Sequence, residues 1–365
     1  MKKGATISFV LLSVLILTGC SWKNINETPS SKEKPRNIIL FIGDGMGVSH
    51  LYAGMTVSSN TFFLERFPFA GYCKTYSSDN YITDSAAGGT AIATGIKTRN
   101  GMIGMGPDSS IVTSIMEIAH KNGFSTGLVS TKAITDATPA SFVSHNSGRG
   151  NYEDIAKDFL NGTIDLFLGG GADNFRKRKD GTDLTLKLQE MGYDVVYTIE
   201  EMEKADAPKI AGLLAGGNMQ KESEGRAGYL ERMTRKAIET LSKNKKGFIL
   251  MVEGGMIDTG GHANEIDFVV SEMIDLDKAI GVALGFAEKN GNTLIVTTAD
   301  HETGGLTLTG GSISQHKVQA DFSTKNHTAV MVPIFSFGPG AVRFSGIHDN
   351  TFFFNEFMNL LNIRK

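Results

Sequence analysis

Proline and cysteine are scarce in this 365-residue chain, at 8 and 2 residues, and no internal repeat or low-complexity segment stands out. Set against 43 glycines, so few prolines predict short, tight loops in which the backbone makes close approaches. An excess of one charge is also missing: 36 basic and 39 acidic residues leave a net charge of −3. Without a long basic field, a nucleic-acid partner is not expected. What remains is ordinary globular composition, 41% hydrophobic and 21% charged, with ample length for a large core. It suits one large α/β domain or two medium ones.

The N-terminal apolar run, Ile7 to Leu17, is too short for an ordinary membrane span. Behind Lys2 and Lys3 it reads as a secretory signal, residues 1–19. Leu17-Thr18-Gly19-Cys20 resembles the bacterial lipoprotein box, in which the cysteine is lipidated and becomes the mature N-terminus. The alternative is a plain cleaved signal whose cysteine is incidental. Residues 21–36 are polar and have little to pack, so residues 20–36 read as a lipidated cysteine with a flexible tether. With Cys20 lipidated, Cys73 has no partner for a disulfide and reads as a structural or incidental thiol. The expected location is extracytoplasmic, anchored to a bacterial membrane. Ser21, rather than Asp, after the cysteine favours the periplasmic side of the outer membrane in a Gram-negative cell.

From residue 37 onward, apolar runs at Asn37–Ile42, Thr126–Ser130, Ile164–Leu168, Phe248–Val252, Thr293–Thr298 and Val330–Phe335 read as buried strands. Helix-like stretches separate them. The clearest starts near Ile266 and places Val269, Met273, Leu276, Ile280 and Leu284 on one face. Strands alternating with helices predict a mainly parallel central sheet with helices on both faces. Asp44, Glu253 and Asp300-His301 each follow a strand, and ligands of open α/β sheets gather at that edge. One carboxylate in a loop is usually only solvated; three clusters in the same position predict one site.

Two segments carry chemistry of their own. Thr83 to Gly95 holds small residues that let a helix starting near Ser85 pack closely, with Ser85 at the positive end of the helix dipole. From this segment alone, a plain helix cap by Asp84 or Ser85 is the simpler reading. Glu253-Gly-Gly-Met-Ile-Asp258-Thr-Gly-Gly-His262 reads as a glycine-rich loop after a strand, where several side chains converge. Asp and His together suit zinc, whereas carboxylate and hydroxyl oxygens suit magnesium. Leu168-Gly-Gly-Gly171 is read as a turn, because it lacks the Lys and Ser/Thr of a P-loop.

Phe41-Ile-Gly-Asp-Gly-Met-Gly47, Thr83-Asp-Ser-Ala-Ala87, Asp136-Ala-Thr-Pro-Ala140, Val252-Glu-Gly254 and Thr298-Ala-Asp-His-Glu-Thr-Gly304 together resemble the alkaline phosphatase family, in the family's order. The resemblance implies a single α/β domain over residues 37–365 that hydrolyses a broad range of phosphate monoesters through a phosphoserine. It implies Ser85 as nucleophile and Arg149 as the arginine that grips phosphate. Two zinc ions and one magnesium ion follow: Asp258, His262 and His327 for the first zinc, and Asp300, His301, Asp44 and Ser85 for the second. Asp44 bridges to magnesium, completed by Thr138 and Glu253. His327 rests on Asn326-His327-Thr328 alone. Certain bacterial relatives carry lysine after the aspartate at 258; here Thr259 stands there, with Asp136 retained at the paired position. A homodimer is also implied. His50, His120, His145, His316 and His348 are read as packing or orienting residues.

Two other readings compete. A related metal-dependent phosphodiesterase or phosphomutase would share the sheet and two-metal core, but Thr138, Glu253 and Arg149 favour the monoesterase, and export argues against a glycolytic mutase. A non-catalytic metal- or phosphate-binding lipoprotein would be marked by loss of the nucleophile or of several ligands; none is lost.

Overall fold

The computed structural model describes Met1, residues 34–226 and residues 228–364. The signal, Cys20 and most of the tether therefore lie outside the described residues.

Eight strands are, in chain order, β1 (Asn37–Gly43), β2 (Phe69–Lys74), β3 (Ser125–Ala133), β4 (Leu166–Gly170), β5 (Tyr193–Val196), β6 (Lys209–Leu213), β7 (Phe248–Gly254) and β8 (Thr293–Thr298). With Val332–Phe337 and Gly346–Asp349 they form a ten-stranded sheet. Its order is Gly346–Asp349, β2, Val332–Phe337, β8, β1, β7, β3, β4, β6, β5. Neighbours from β8 to β5 are all parallel, and Val332–Phe337 runs antiparallel to both β2 and β8. The architecture is thus the mainly parallel α/β sheet that the alternation predicts.

β1, β7 and β8 are buried along their whole length, which is why they read as unbroken apolar runs rather than alternating ones. β2 alternates exposed and buried residues, and β5, β6 and Gly346–Asp349 are only four or five residues long. These four lacked a run long enough to be singled out from sequence. Val332–Phe337 starts two residues later than the apolar run that announces it.

The long helix Ile266–Asn290 buries the whole stripe Val269, Met273, Leu276, Ile280 and Leu284. Burying each such side chain contributes about 1.5–3 kcal/mol. Leu276 also clamps the sheet edge: a Cβ at Gly43 would stand 3.2 Å from its Cδ2, and one at Gly254 3.2 Å from its Cδ1. The stripe therefore fixes the ends of β1 and β7, from which two site carboxylates emerge. Among the described residues no helix is long and apolar enough to cross a membrane.

Candidate active site

The four adjacent strands β8, β1, β7 and β3 deliver the site from their C-terminal ends. Asp44 follows β1 directly, Glu253 is next to last in β7, and Asp300 and His301 follow β8. Asp136 and Thr138 follow β3, with Thr138 in the short helix Ala137–Ala140. Gly45 turns the chain after Asp44 at φ +71°, and a Cβ there would lie 2.6 Å from Thr303 Oγ1. Its N–H donates to Asp300 Oδ1 at 3.2 Å, which ties the β1 turn to the β8 turn.

Asp258 and His262 lie on a two-turn helix, Met256–Ala263, rather than on the loop expected from its glycines. One turn apart, they share a face. The glycines serve contact: a Cβ at Gly260 or Gly261 would come within 3.0 Å of Val269 or Thr303. His327 reaches them because the hairpin Leu306–Ser312/Lys317–Phe322 folds the chain back, and His327 pairs with Thr303. Asp258, His262 and His327 then form one group able to hold a metal ion. Nδ1 of His262 donates to the Lys325 carbonyl at 2.6 Å and Nδ1 of His327 to the Thr83 carbonyl at 2.9 Å, roles assigned from the partners. Both Nε2 atoms therefore face the site, 3.2 Å from each other. Two imidazole nitrogens so placed, beside the Asp258 carboxylate, suit a shared cation.

Asp44, Asp258 and His301 form a second such group, fully buried. His301 Nε2 lies 3.5 Å from Asp44 Oδ1 and 3.2 Å from Asp300 Oδ2, and its ring stacks on His327 at 3.5 Å. Ser85 Oγ is 3.2 Å from the same His301 Nε2. Ser85 is the first residue of the helix Ser85–Thr94; Asp84 is the cap, accepting from Ala87 N at 3.0 Å. Capping thus falls to Asp84, which leaves the buried Ser85 hydroxyl free to face His301. The small residues bring the helix in: a Cβ at Gly88 would be 3.0 Å from the Asp300 carbonyl. Asp44 Oδ1, Asp300 Oδ2, Thr138 Oγ1 and Glu253 Oε1 are all buried without a hydrogen-bond partner. Orphaned buried oxygens in one cluster are what cation sites leave when their donors face inward.

Arg149 donates from Nη1 to Asp84 Oδ2 at 3.0 Å, with Nη2 3.6 Å from Asp136 Oδ1. One residue was missed from sequence. Lys132, next to last in β3, is buried with Nζ 2.8 Å from Asp44 Oδ2 and 3.1 Å from Asp258 Oδ2. Burial disfavours its charge, yet Asp44, Asp258, Asp136 and Glu253 hold the ammonium well above its ordinary range. The carboxylates respond in turn. Burial, then Asp258 and Asp300, push Asp44 up to about 7, and burial and Asp258 push Asp300 up to about 6. Burial and then Asp44 raise Glu253 well above the usual range. Burial would raise Asp258 too, but Lys132, His262 and His301 hold it well below. The hydrogen bond to Asp258 pushes His262 up to about 9, whereas burial and His301 pull His327 down to about 4.

The other histidines sit elsewhere in the hydrogen-bond network. His145 joins the Gly104 carbonyl to Glu117, and His50 is buried beside Gly47 and Glu302. His316 meets the Ser58 carbonyl, His348 the Ser345 carbonyl, and His120 lies exposed near the end of its helix. Cys73 is free and buried, and burial pushes its thiol up to about 12, which makes it inert.

Comparison with known proteins agrees with this geometry. The family model described as alkaline phosphatase matches residues 35–321. Alkaline phosphatase 4 of Bacillus subtilis (strain 168) is 37% identical over 84% of this chain and 71% of its own length. Alkaline phosphatase 3 of the same organism is 41% identical over 83% of this chain and 70% of its own length. Among solved structures, a variant of TAB5 alkaline phosphatase described with Mg bound in the M3 site superposes with a TM-score of 0.86. It shares 40% identity, and the match covers 91% of this chain and 99% of that one. With the motifs, the sheet and the metal-ligating groups all in agreement, the chain belongs to the alkaline phosphatase family.

Proposed function

We propose that this metal-dependent phosphomonoesterase works through Ser85 as nucleophile. The observation that carries the proposal is Ser85 Oγ at a helix N-terminus, 3.2 Å from His301 Nε2 inside a metal-ligating cluster. Asp258, His262 and His327 would hold one zinc ion, and Asp44, Asp300 and His301 the other. Bound there, the two ions would supply charge stabilisation at the attacking and departing oxygens of an in-line displacement. Ser85 forms an O–P bond as the ester P–O bond breaks, and the alcohol leaves with a proton. Water then forms an O–P bond as the Ser85 O–P bond breaks, releasing inorganic phosphate. Arg149, steadied by Asp84 and near Asp136, keeps guanidinium N–H groups free to hold two phosphate oxygens.

The third set expected for magnesium has its oxygens: Thr138, Glu253 and Asp44 are all buried, each with one orphaned oxygen. It does not fit magnesium alone, however, since Lys132 already donates to Asp44 Oδ2. No step is assigned to an ion there.

Hydrolysis of a chromogenic monoester, beside the matching diester, tests the activity. Chelation should abolish monoester turnover and zinc should restore it, with the diester at least about a hundredfold poorer in kcat/KM. Full turnover by the demonstrably metal-free protein, or a preference for the diester, would contradict the proposal.

Export and anchoring through Cys20 belong to the same proposal, supported by the order of Lys2-Lys3, the apolar run and Leu17-Thr18-Gly19-Cys20. The phosphatase would face outward from the cytoplasm on a tether, as a monomer or the homodimer the family resemblance implies. Fatty-acid label should enter the wild-type chain and not Cys20→Ser; label in both would contradict the anchor.

A further inference from the structure

Lys132 is not a surface lysine that has folded inward. It belongs to β3, every residue of which beyond Ser125 is buried. Its stem runs over Gly255, where a Cβ would stand 2.9 Å from Lys132 Cγ, so the glycine keeps a path open for it. Ser130 Oγ accepts from the Lys132 N–H at 2.9 Å and donates to Glu253, which joins the lysine backbone to the same carboxylate cluster. At the far end Nζ meets Asp44 and Asp258, with Asp136 Oδ2 3.9 Å away. A buried ammonium is costly unless paired, and here acidic groups from the ends of three strands pair it.

Those acidic groups include Asp44, one of the three donors of the third metal set, and the charge of Glu253, a second donor, also acts on the ammonium. Asp44 Oδ2 accepts from Lys132, so a third divalent ion beside it would face a fixed positive charge, and cations crowded in a low-dielectric pocket repel strongly. Lys132 is tied to the chain, whereas magnesium must come from solution and give up its hydration reluctantly. Thr259 is consistent with this placement. With no lysine following Asp258, the positive charge near Asp136 arrives from β3 instead.

We propose that the Lys132 ammonium stands in for the third divalent cation, so that this phosphatase centre holds two metal ions and one fixed positive charge. Lys132 is then a positioning residue: it orients Asp44 and Asp258, which hold metal, and makes the enzyme independent of magnesium. The inference rests on the phosphomonoesterase reading above.

Metal content tests it. The purified holoenzyme is equilibrated with excess zinc and magnesium, desalted and analysed by mass spectrometry, alongside Lys132→Ala and the near-isosteric Lys132→Gln. The wild type should retain about two zinc ions and almost no magnesium, and at least one variant should gain about one magnesium per chain. Added magnesium should raise the melting temperature of that variant and leave the wild type unmoved. About one magnesium per wild-type chain overturns the inference, whatever the variants do. So does a pair of variants that keep two zinc ions and take up no magnesium. Zinc content reports separately on the parent reading: a wild type that binds no zinc contradicts the phosphatase centre itself, and the inference with it.

Discussion

Asp44, Ser85, Asp300 and His301 could be read from the sequence because each adjoins a feature with its own signal. An unbroken apolar run ends just before three of them, and a small-residue helix starts at the fourth. Lys132 could not, because a lysine after Ser130-Thr131 ordinarily turns to solvent. The usable signal was that the apolar run at Thr126–Ser130 continues as a buried strand to Ala133. A lysine inside such a strand needs acidic partners. Titration makes these residues visible in solution. In the metal-free protein His262 is pushed up to about 9, Asp44 to about 7, and Glu253 well above its usual range. Between pH 6.5 and 9 the native state thus binds more protons than the unfolded chain, so stability must fall as pH rises. His50, His301 and His327, all pulled downward, oppose this most below pH 6.5, where the unfolded histidines charge, and the opposition fades within about one pH unit above it. Urea midpoints of the chelated protein should therefore drop from pH 6.5 to 9. Zinc, by displacing those protons, should flatten the trend. A chelated midpoint that holds steady or climbs over that range would contradict the proton assignment.

At the level of elements, the helix Ser85–Thr94 shows why composition was informative. Its glycines and alanines bring backbone against backbone at Asp300, and this closeness places Ser85 beside His301. The same logic misled at Met256–Ala263, where two glycines suggested a loop. They instead allow a helix to press on Val269 and Thr303, and the helix gives Asp258 and His262 their shared face. The hairpin Leu306–Ser312/Lys317–Phe322 was illegible for a different reason. Its strands are polar and largely exposed, so no burial pattern marks them. It nevertheless sets His327: Gly304 N donates to the Asn326 carbonyl at 3.0 Å, and Thr324 N to the Gly304 carbonyl at 3.1 Å. A proposed ligand that sequence supports by one tripeptide is thus held by local backbone pairing.

Across the whole molecule, the centre exists because β8, β1, β7 and β3 are neighbours in the sheet although far apart in sequence. Their order could not be read from periodicity, which reports burial and not adjacency. The common position of the carboxylates after strands did imply convergence at one edge, and that edge is where they meet. On the proposed function, all of it serves one chemical event, transfer of phosphate to Ser85. The most direct measurement is therefore an acid quench during turnover of a labelled monoester, followed by peptide mapping. Label should be found on Ser85, and Ser85→Ala should carry none while losing at least about a thousandfold in kcat with its zinc content intact. Label on another residue, or undiminished turnover by Ser85→Ala, would contradict the assignment.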